Sequence, residues 1–177
     1  MTLAAEPPAR QRVLLDGRTV TIRPIRPDDE GRTRTFLSEA SGKTRYLRFH
    51  KWVAAPSDKL VHFLTDVDYR NHMAFVCTFQ GPQGEAIVGE ARYVLNPDGK
   101  SADFGIMIGD GWRRTGIAGL LMEALLRTAR EAGIGMMEGL VMRTNGTMLR
   151  FAKALGFDVT PVPEDRTTVR VVKKLVA

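Results

Sequence analysis

Apolar and polar residues alternate with a period of two along three neighbouring segments in the middle of the chain. These segments cover residues 72–79, 86–95 and 102–108, and dense turn-forming sequences such as Asn96-Pro97-Asp98-Gly99 separate them. A period of two is typical of β-strands, because successive side chains point to opposite faces of a sheet. The short connections predict antiparallel pairing between consecutive strands. An extended segment over residues 13–25 predicts a hairpin or first strand.

Apolar residues with helical spacing mark most of the remaining chain. The clearest case begins at Ile117, where one stripe is apolar and the other carries Glu123, Arg127 and Glu131. Gly133 fits the C-terminal cap of that helix. Further helices are predicted over residues 27–40, 41–49, 56–64 and 145–155, and further strands over 136–142, around 159 and over 167–175. The predicted fold class is therefore α/β (α+β), with a mixed, mostly antiparallel sheet flanked by helices.

Composition predicts one globular domain. The chain has 177 residues, of which 44% are hydrophobic and 26% charged, and these are ordinary proportions for a single folded unit. Residues 1–11 are predicted to form a flexible tail, and residues 12–177 the domain. No apolar run approaches the roughly 20 residues that a membrane-spanning helix needs. A single cysteine excludes an internal disulfide, so we expect a cytoplasmic protein without a membrane partner.

The formal net charge is +6, and the basic residues are scattered rather than gathered in one run. A positive balance suits an anionic ligand such as a nucleotide cofactor. The scatter argues against a dedicated nucleic-acid-binding surface, so no specific nucleic-acid partner is expected.

The segment most informative about chemistry follows the third central strand, where Arg113-Arg114-Thr115-Gly116-Ile117-Ala118-Gly119 leads into a helix. Amides at a helix start have no intrahelical partner and can bind phosphate oxygens. Gly116 and Gly119 have no Cβ, so an anion can approach the backbone closely. The arginine pair adds positive charge and forked donors. The alternative is an ordinary strand–turn–helix with a surface arginine pair.

This loop resembles the Q/R-x-x-G-x-G/A motif of the GNAT superfamily of N-acetyltransferases, with Arg113, Gly116 and Ala118 at the motif positions. The segment from Asn145 to Phe157, which ends in Leu155-Gly156-Phe157, is similar to the next conserved block of that superfamily. The resemblance covers about residues 19–175. Residues 20–29 and 41–49 are more narrowly similar to the acetyltransferase domain of bacterial Pat-type protein lysine acetyltransferases.

The resemblance implies a GNAT-like domain with a split between two strands that admits the pantetheine arm of acetyl-CoA. The backbone of Ile106, Met107 and Ile108 would line that arm, and Asn145 would contact it near the thioester. For Ile106 and Ile108 a simple core role is compatible with this, and for Asn145 the alternative is a helix cap alone. The amides and side chains of the loop, residues 113–119, would hold the pyrophosphate.

Two carboxylates are candidates for the general base that an amine acceptor needs. Asp103 is the first choice, because it begins the strand that leads to the loop, where related enzymes often carry a catalytic Glu. Glu90 is the second choice, and its alternative role is an exposed ion pair with Arg92. Many relatives have a tyrosine acid where this chain has Ala152. A thiolate can leave without one, because the pKa of a thiol is about 8.5.

Cys77 alternates with apolar residues and is predicted to be part of the core rather than a nucleophile. The three histidines have no metal-ligand spacing, so no metal is expected. The predicted function is acetyl-CoA-dependent transfer of an acetyl group to a primary amine, either a protein lysine or a small molecule. A catalytically weak acetyl-CoA-binding sensor or scaffold is the alternative. A monomer or a homodimer fits equally.

Overall fold

The structure, a computed structural model, describes residues 6–176, which contain eight strands and five α-helices. Two short 3-10 turns, Pro27–Asp29 and Asp110–Trp112, precede α1 and the loop of residues 113–119. The strands are β1 Arg10–Val13, β2 Thr19–Pro24, β3 His72–Gly81, β4 Gly84–Leu95, β5 Ser101–Ile108, β6 Met136–Met142, β7 Asp158–Val162 and β8 Asp165–Lys174. The helices are α1 Glu30–Glu39, α2 Gly42–Phe49, α3 Asp58–Thr65, α4 Ile117–Glu131 and α5 Gly146–Ala154.

All eight strands form one sheet in the order β1-β2-β3-β4-β5-β6-β8-β7. Neighbouring strands are antiparallel except for β5 and β6, which are parallel. The parallel pair is joined at only three positions, from Ser101 opposite Met136 to Asp103 opposite Glu138. Beyond Asp103 the two strands separate. The predicted α/β class and mostly antiparallel sheet are confirmed, and the separation divides the sheet at its only parallel pair among the described strands.

Helices cover both faces of the central strands of the sheet. Helix α4 packs against β3 and β4, and its buried residues Leu121 and Leu125 belong to the larger core. Helices α1 and α3 pack on the opposite face, where a second core includes Phe36, Leu64 and Met107. Helix α2 lies against β5 on that same face. Each face of the central strands is therefore buried, as the apolar stretches of β3 and β4 require.

The N-terminal part of the chain differs from the prediction at one boundary. Strand β1 begins at Arg10 and pairs with β2, so the last two residues of the predicted tail lie in the sheet. The first part of that predicted tail, residues 1–5, lies outside the described residues. Four residues are too few for periodicity to reveal a strand. Strand β1 is identified by its pairing with β2 and not by its own sequence pattern.

In the part of the chain that the structure describes, no helix is both long enough and apolar enough to cross a membrane. Cys77 is fully buried within the larger core, as its alternating pattern predicts.

Candidate functional site

The separation of β5 from β6 opens a cleft of about 680 Å³. One wall is β5 from Phe104 to Ile108, and the other comes from β6 and the start of α5. Phe104 closes the narrow end, where its ring lies 2.8 Å from the place that a Cβ on Gly139 would occupy. A larger residue than glycine at position 139 would therefore push this ring away.

The free edge of β5 runs along the cleft. On its other side, β5 pairs with β4, where Ile106 lies opposite Ala91 and Ile108 opposite Gly89. On the cleft side, no described strand pairs with β5 beyond Asp103. Unpaired strand N–H and C=O groups in a cleft can bind an extended chain that carries amides.

The loop at the start of α4 forms the second feature of the cleft. Gly116 caps the helix with a φ of 91°, in the left-handed region that glycine favours, and Arg114 also has a positive φ of 61°. Open space lies above Gly116 and Gly119, since a Cβ at either would meet nothing within 4 Å. The amides of the first helical turn face this space without intrahelical partners. The arrangement can bind an anion.

Arg113 connects this loop to α2. Its guanidinium donates to the Thr44 hydroxyl at 2.6 Å and lies 3.2 Å from the Asp110 carboxylate. Asp110 in turn accepts a hydrogen bond from the same hydroxyl at 2.7 Å. The loop is therefore held at a fixed distance from α2, and the width of the cleft is held with it.

The structure brings together ten of the eleven predicted cofactor residues on one cleft. They are Ile106, Met107, Ile108, Arg113, Arg114, Gly116, Ile117, Ala118, Gly119 and Asn145. Thr115 is the exception, because its hydroxyl turns back and donates to the Trp112 carbonyl at 2.6 Å. Thr115 thus holds the shape of the loop and does not line the cleft. Asn145 lines the cleft, and its side chain also accepts from the Met148 amide at 3.2 Å and caps α5.

Sequence reasoning missed the wall that α2 provides. Lys43, Thr44, Leu47 and Arg48 line the cleft from the side opposite α5. Nothing in the local sequence indicates which face of this short helix meets β5, because that depends on packing between distant segments. The only signal was the similarity of residues 41–49 to one group of acetyltransferases.

Asp103 lies where β5 and β6 are still paired, beside the closed end of the cleft. Its side chain is exposed, and it has one long contact, 3.4 Å, from the Asn96 amide. Glu138, the residue opposite on β6, accepts from Asn96 at 3.0 Å and from Arg170 at 3.1 Å. Asp103 is accessible to water but does not line the cleft.

Glu90 differs from the prediction, because its ion pair with Arg92 forms but is buried. Both residues are only 3% exposed, because the helices on that face cover β4. Arg92 binds both carboxylate oxygens of Glu90, and the Arg48 guanidinium lies 3.8 Å away. Burial by itself raises the pKa of the Glu90 carboxyl, but the charges of Arg92 and Arg48 outweigh it, so the pKa lies below its ordinary value. Glu90 is therefore ionised at neutral pH.

His72 is half-buried and adjoins this group of buried polar residues. Burial, together with the charge of Arg92, lowers the pKa of His72 to about 4. The imidazole is thus neutral at pH 7, and its Nε2 accepts from Arg92 at 2.8 Å. Elsewhere, burial raises the pKa of the Cys77 thiol to about 12, so this thiol is not a nucleophile near neutral pH. Ala152, at the position of the tyrosine acid, is fully buried.

Across residues 6–176, no three His, Cys, Asp or Glu side chains are grouped closely enough to hold a metal ion. The cleft combines a free strand edge with a helix start whose amides can bind an anion. A comparison with known families agrees with this geometry, since the acetyltransferase (GNAT) family matches residues 37–157. The chain belongs to the GNAT family. Its members are acetyltransferases, and the matched residues include the separated strands, the loop and α5.

Similar proteins extend the GNAT assignment over most of the chain. An acetyltransferase of Pseudomonas aeruginosa is 33% identical over 154 residues, which are 87% of this chain and 83% of that protein. The acetyltransferase Pat of Mycolicibacterium smegmatis is 32% identical over 136 residues, 76% of this chain but only 40% of Pat. The crystal structure of the GNAT domain of S. lividans PAT aligns with a TM-score of 0.86 and 25% identity, over 96% of this chain and 99% of that domain. The similarity to Pat-type GNAT domains is thus confirmed.

Proposed function

We propose that the protein transfers the acetyl group of acetyl-CoA to a primary amine, and that its acceptor is a protein lysine. The observation that carries this proposal is the joining of an unpaired β5 edge and a helix-terminal anion site in one cleft. Acetyl-CoA has the complementary parts, since its pantetheine arm carries amides and its pyrophosphate is an anion.

In this proposal the pyrophosphate binds at the start of α4, and the arm runs along β5 as an additional strand. It enters beside Ile108 and points towards Phe104, where the cleft narrows. Strand residues are about 3.3 Å apart, so the path from Ile108 to Gly105 covers about 10 Å. The thioester then lies near Gly105, on the part of β5 that faces α2.

An open surface beside the cleft supports a large acceptor. Leu140 of β6 lines the cleft and is still 47% exposed. Glu138 and Arg170 lie next to it and form an ion pair at 3.1 Å. A lysine on a protein surface can reach the thioester from this side without entering a closed pocket. The similarity to Pat-type domains points to the same class of acceptor.

The acetyl group passes directly to the amine in this proposal. Cys77 is buried and protonated, so it does not form an acetyl-enzyme intermediate. The attacking amine must lose a proton, because a lysine has a pKa of about 10.4 and is mostly charged at pH 7. Backbone N–H groups of β5 polarise the thioester carbonyl.

We propose the opposite order for the two candidate bases. Glu90 is fixed by Arg92 and adjoins Arg48, which lines the cleft, whereas Asp103 is a solvent-exposed side chain at the closed end. A carboxylate with a perturbed pKa beside a cleft is a candidate functional residue, whereas structural ion pairs elsewhere also perturb pKa values. We therefore assign the proton acceptor as Glu90, acting through water, and Asp103 becomes the alternative.

The acceptor is tested by the release of CoA from acetyl-CoA over a panel of lysine peptides, folded proteins and small amines. We expect release with lysine-containing polypeptides, together with acetylated lysine detected by mass spectrometry. Release with small amines alone would show that the acceptor is a small amine and not a protein lysine. Stoichiometric binding of acetyl-CoA without release by any amine would instead support the sensor or scaffold.

The anion site is tested by Gly116→Val. A side chain at Gly116 would occupy the space above the first amides of α4, so we expect the affinity for acetyl-CoA to fall at least about tenfold, or about 1.4 kcal/mol, in calorimetry. Gly133→Val is the matched control, because Gly133 also has a positive φ and open space but lies at the other end of α4. Equal affinities in the two variants would place the pyrophosphate elsewhere.

A further inference from the structure

Arg48 occupies a position that only a glycine on β5 permits. Its guanidinium carbon lies 2.5 Å from where a Cβ on Gly105 would be, and both terminal nitrogens lie within 2.9 Å of the same point. The guanidinium therefore rests directly on the β5 backbone. The side chain is 17% exposed, and its exposed part lines the cleft.

The charges around Arg48 are not balanced. Glu90 is the only carboxylate that lies within 4 Å of its guanidinium among the described residues, at 3.8 Å, and Arg92 already binds both oxygens of that carboxylate. The Nε of Arg48 is buried and has no hydrogen-bond partner in the described part of the chain. One further contact is weak, a cation–π approach of 5.1 Å to Phe49. The buried Arg92 and the mostly buried Arg48 thus share one anion.

A surplus buried cation destabilises a fold unless another charge balances it. Features that cost stability without an evident structural gain are typical of functional sites. The two terminal nitrogens of Arg48 lie over Gly105, the point that the thioester reaches if acetyl-CoA binds as proposed above. The missing negative charge would then come from the reaction itself.

We propose that Arg48 is a catalytic residue that stabilises the negative charge on the thioester oxygen during acetyl transfer, an inference that rests on the proposed function. The amine nitrogen bonds to the carbonyl carbon, and the π-electron pair of the C=O bond moves to the oxygen, next to the Arg48 guanidinium. The Glu90 carboxylate takes one proton of the charged amine through water before this attack, and the second proton passes from the nitrogen to water after it. The C=O bond then re-forms, the C–S bond breaks, and the CoA thiolate leaves with the sulfur electron pair.

The proposal predicts opposite effects on catalysis and on stability. Arg48→Met keeps the length of the side chain and removes the charge. We expect kcat to fall about 10²–10³-fold, the usual loss when one oxyanion donor is removed. The affinity for acetyl-CoA should be unchanged, and the melting temperature should stay equal or rise. Arg48→Lys keeps the charge without the forked donors, so its kcat should lie between that of the unaltered protein and that of Arg48→Met.

The control is Arg34→Met, an exposed α1 arginine that pairs with Asp58 and lies outside the cleft. It should leave kcat unchanged. A purely structural Arg48 would instead give a lower melting temperature in Arg48→Met, with a proportionate loss in Arg48→Lys, and that result overturns the proposal. Normal kcat in a folded Arg48→Met overturns it as well.

A double-variant cycle separates direct action from action through Glu90. The loss caused by Arg48→Met is measured again in a Glu90→Gln background at high pH, where the amine is already neutral. A loss of similar size in both backgrounds supports contact with the reacting oxygen. A loss that disappears with Glu90→Gln makes Arg48 a positioning residue for Glu90 and overturns the proposal. If the unaltered protein releases no CoA with any amine, the proposed function fails before Arg48 is tested.

Discussion

Two groups of buried charge lie in line across one face of the sheet, and they differ in how completely their charges are paired. Arg23 lies opposite Val76 on β3, and Val76 lies opposite Glu90 on β4. The first group centres on Arg23 and Asp29, and we call it the Arg23 cluster. The second centres on Arg48, Glu90 and Arg92, and we call it the Arg48 cluster.

The Arg23 cluster is balanced. Arg23 and Asp29 are 4% and 0% exposed and form two parallel hydrogen bonds of 2.8 and 2.7 Å. Arg32 and Glu85 add one further charge of each sign at the edge of the group. The Asp29 carboxylate also accepts from the Arg26 amide at 2.8 Å. The cluster joins the turn before α1 to β2, and none of its residues lines the cleft.

The Arg48 cluster has the same kinds of residue but an excess of positive charge and an opening to the cleft. Burial of charge therefore does not by itself indicate function. A closed, fully bonded group stabilises the connection between two elements. A group with an unpartnered donor beside a cleft is available for a ligand or a transition state.

The largest expected effect concerns the Arg48 cluster. Glu90→Gln should lower kcat by about 10²–10⁴-fold, the usual contribution of a general base, with little change in acetyl-CoA affinity. The defect should shrink at high pH, where more of the amine is neutral. Asp103→Asn is the matched comparison and should have a much smaller effect. A larger loss of kcat in a folded Asp103→Asn than in a folded Glu90→Gln would assign the role of base to Asp103.

The next largest effect concerns the stability of the Arg23 cluster. Asp29→Asn leaves Arg23 buried beside a neutral amide, so we expect the free energy of unfolding to fall by about 3–5 kcal/mol in urea titration. Asp28→Asn, next to it and exposed, should change stability little. In contrast to Glu90→Gln, a folded Asp29→Asn should keep its kcat. Equal stability of the two variants would mean that the cluster does not hold α1 to the sheet.

The smallest effect concerns pH. The pKa of His72 is about 4 in the folded protein against 6.5 for the free side chain, so the unfolded chain binds its proton first as the pH falls. The free energy of unfolding therefore falls as the pH is lowered from 6.5 to 4. Because the ring is partly exposed, we expect the free energy of unfolding to fall by only about 1 kcal/mol at pH 5. The melting temperature should fall by about 2–4 °C.

His72→Gln should thus lose less stability than the unaltered protein between pH 7 and pH 5. The exposed His62, changed to Gln, is the control. An identical pH dependence for His72→Gln and the unaltered protein would show that the imidazole does not remain neutral beside Arg92.

The sequence predicted most of the fold and one side of the site because both depend on local patterns. Alternation located β3, β4 and β5, and the loop motif located the start of α4. The motif residues also lie close together in the chain, so their meeting at one cleft needed little tertiary information. The free edge of β5 was expected only from the resemblance to GNAT enzymes.

The buried polar groups could not be predicted in this way. Arg48 comes from α2 and Glu90 from β4, and nothing local shows that a guanidinium rests on Gly105. The burial of Glu90 was missed for the same reason, because its place beside Arg92 on the strand is equally typical of an exposed pair. Burial at this point depends on α2 and α3, which are distant in sequence from β4.

Direct acetyl transfer is tested by an initial-rate study of CoA release in which acetyl-CoA and a lysine peptide are both varied. Direct transfer within a complex of enzyme, acetyl-CoA and amine predicts reciprocal plots that intersect, with no release when the peptide is omitted. Parallel plots would indicate an acetyl-enzyme intermediate and would contradict direct transfer. The absence of any amine-dependent release would contradict it as well.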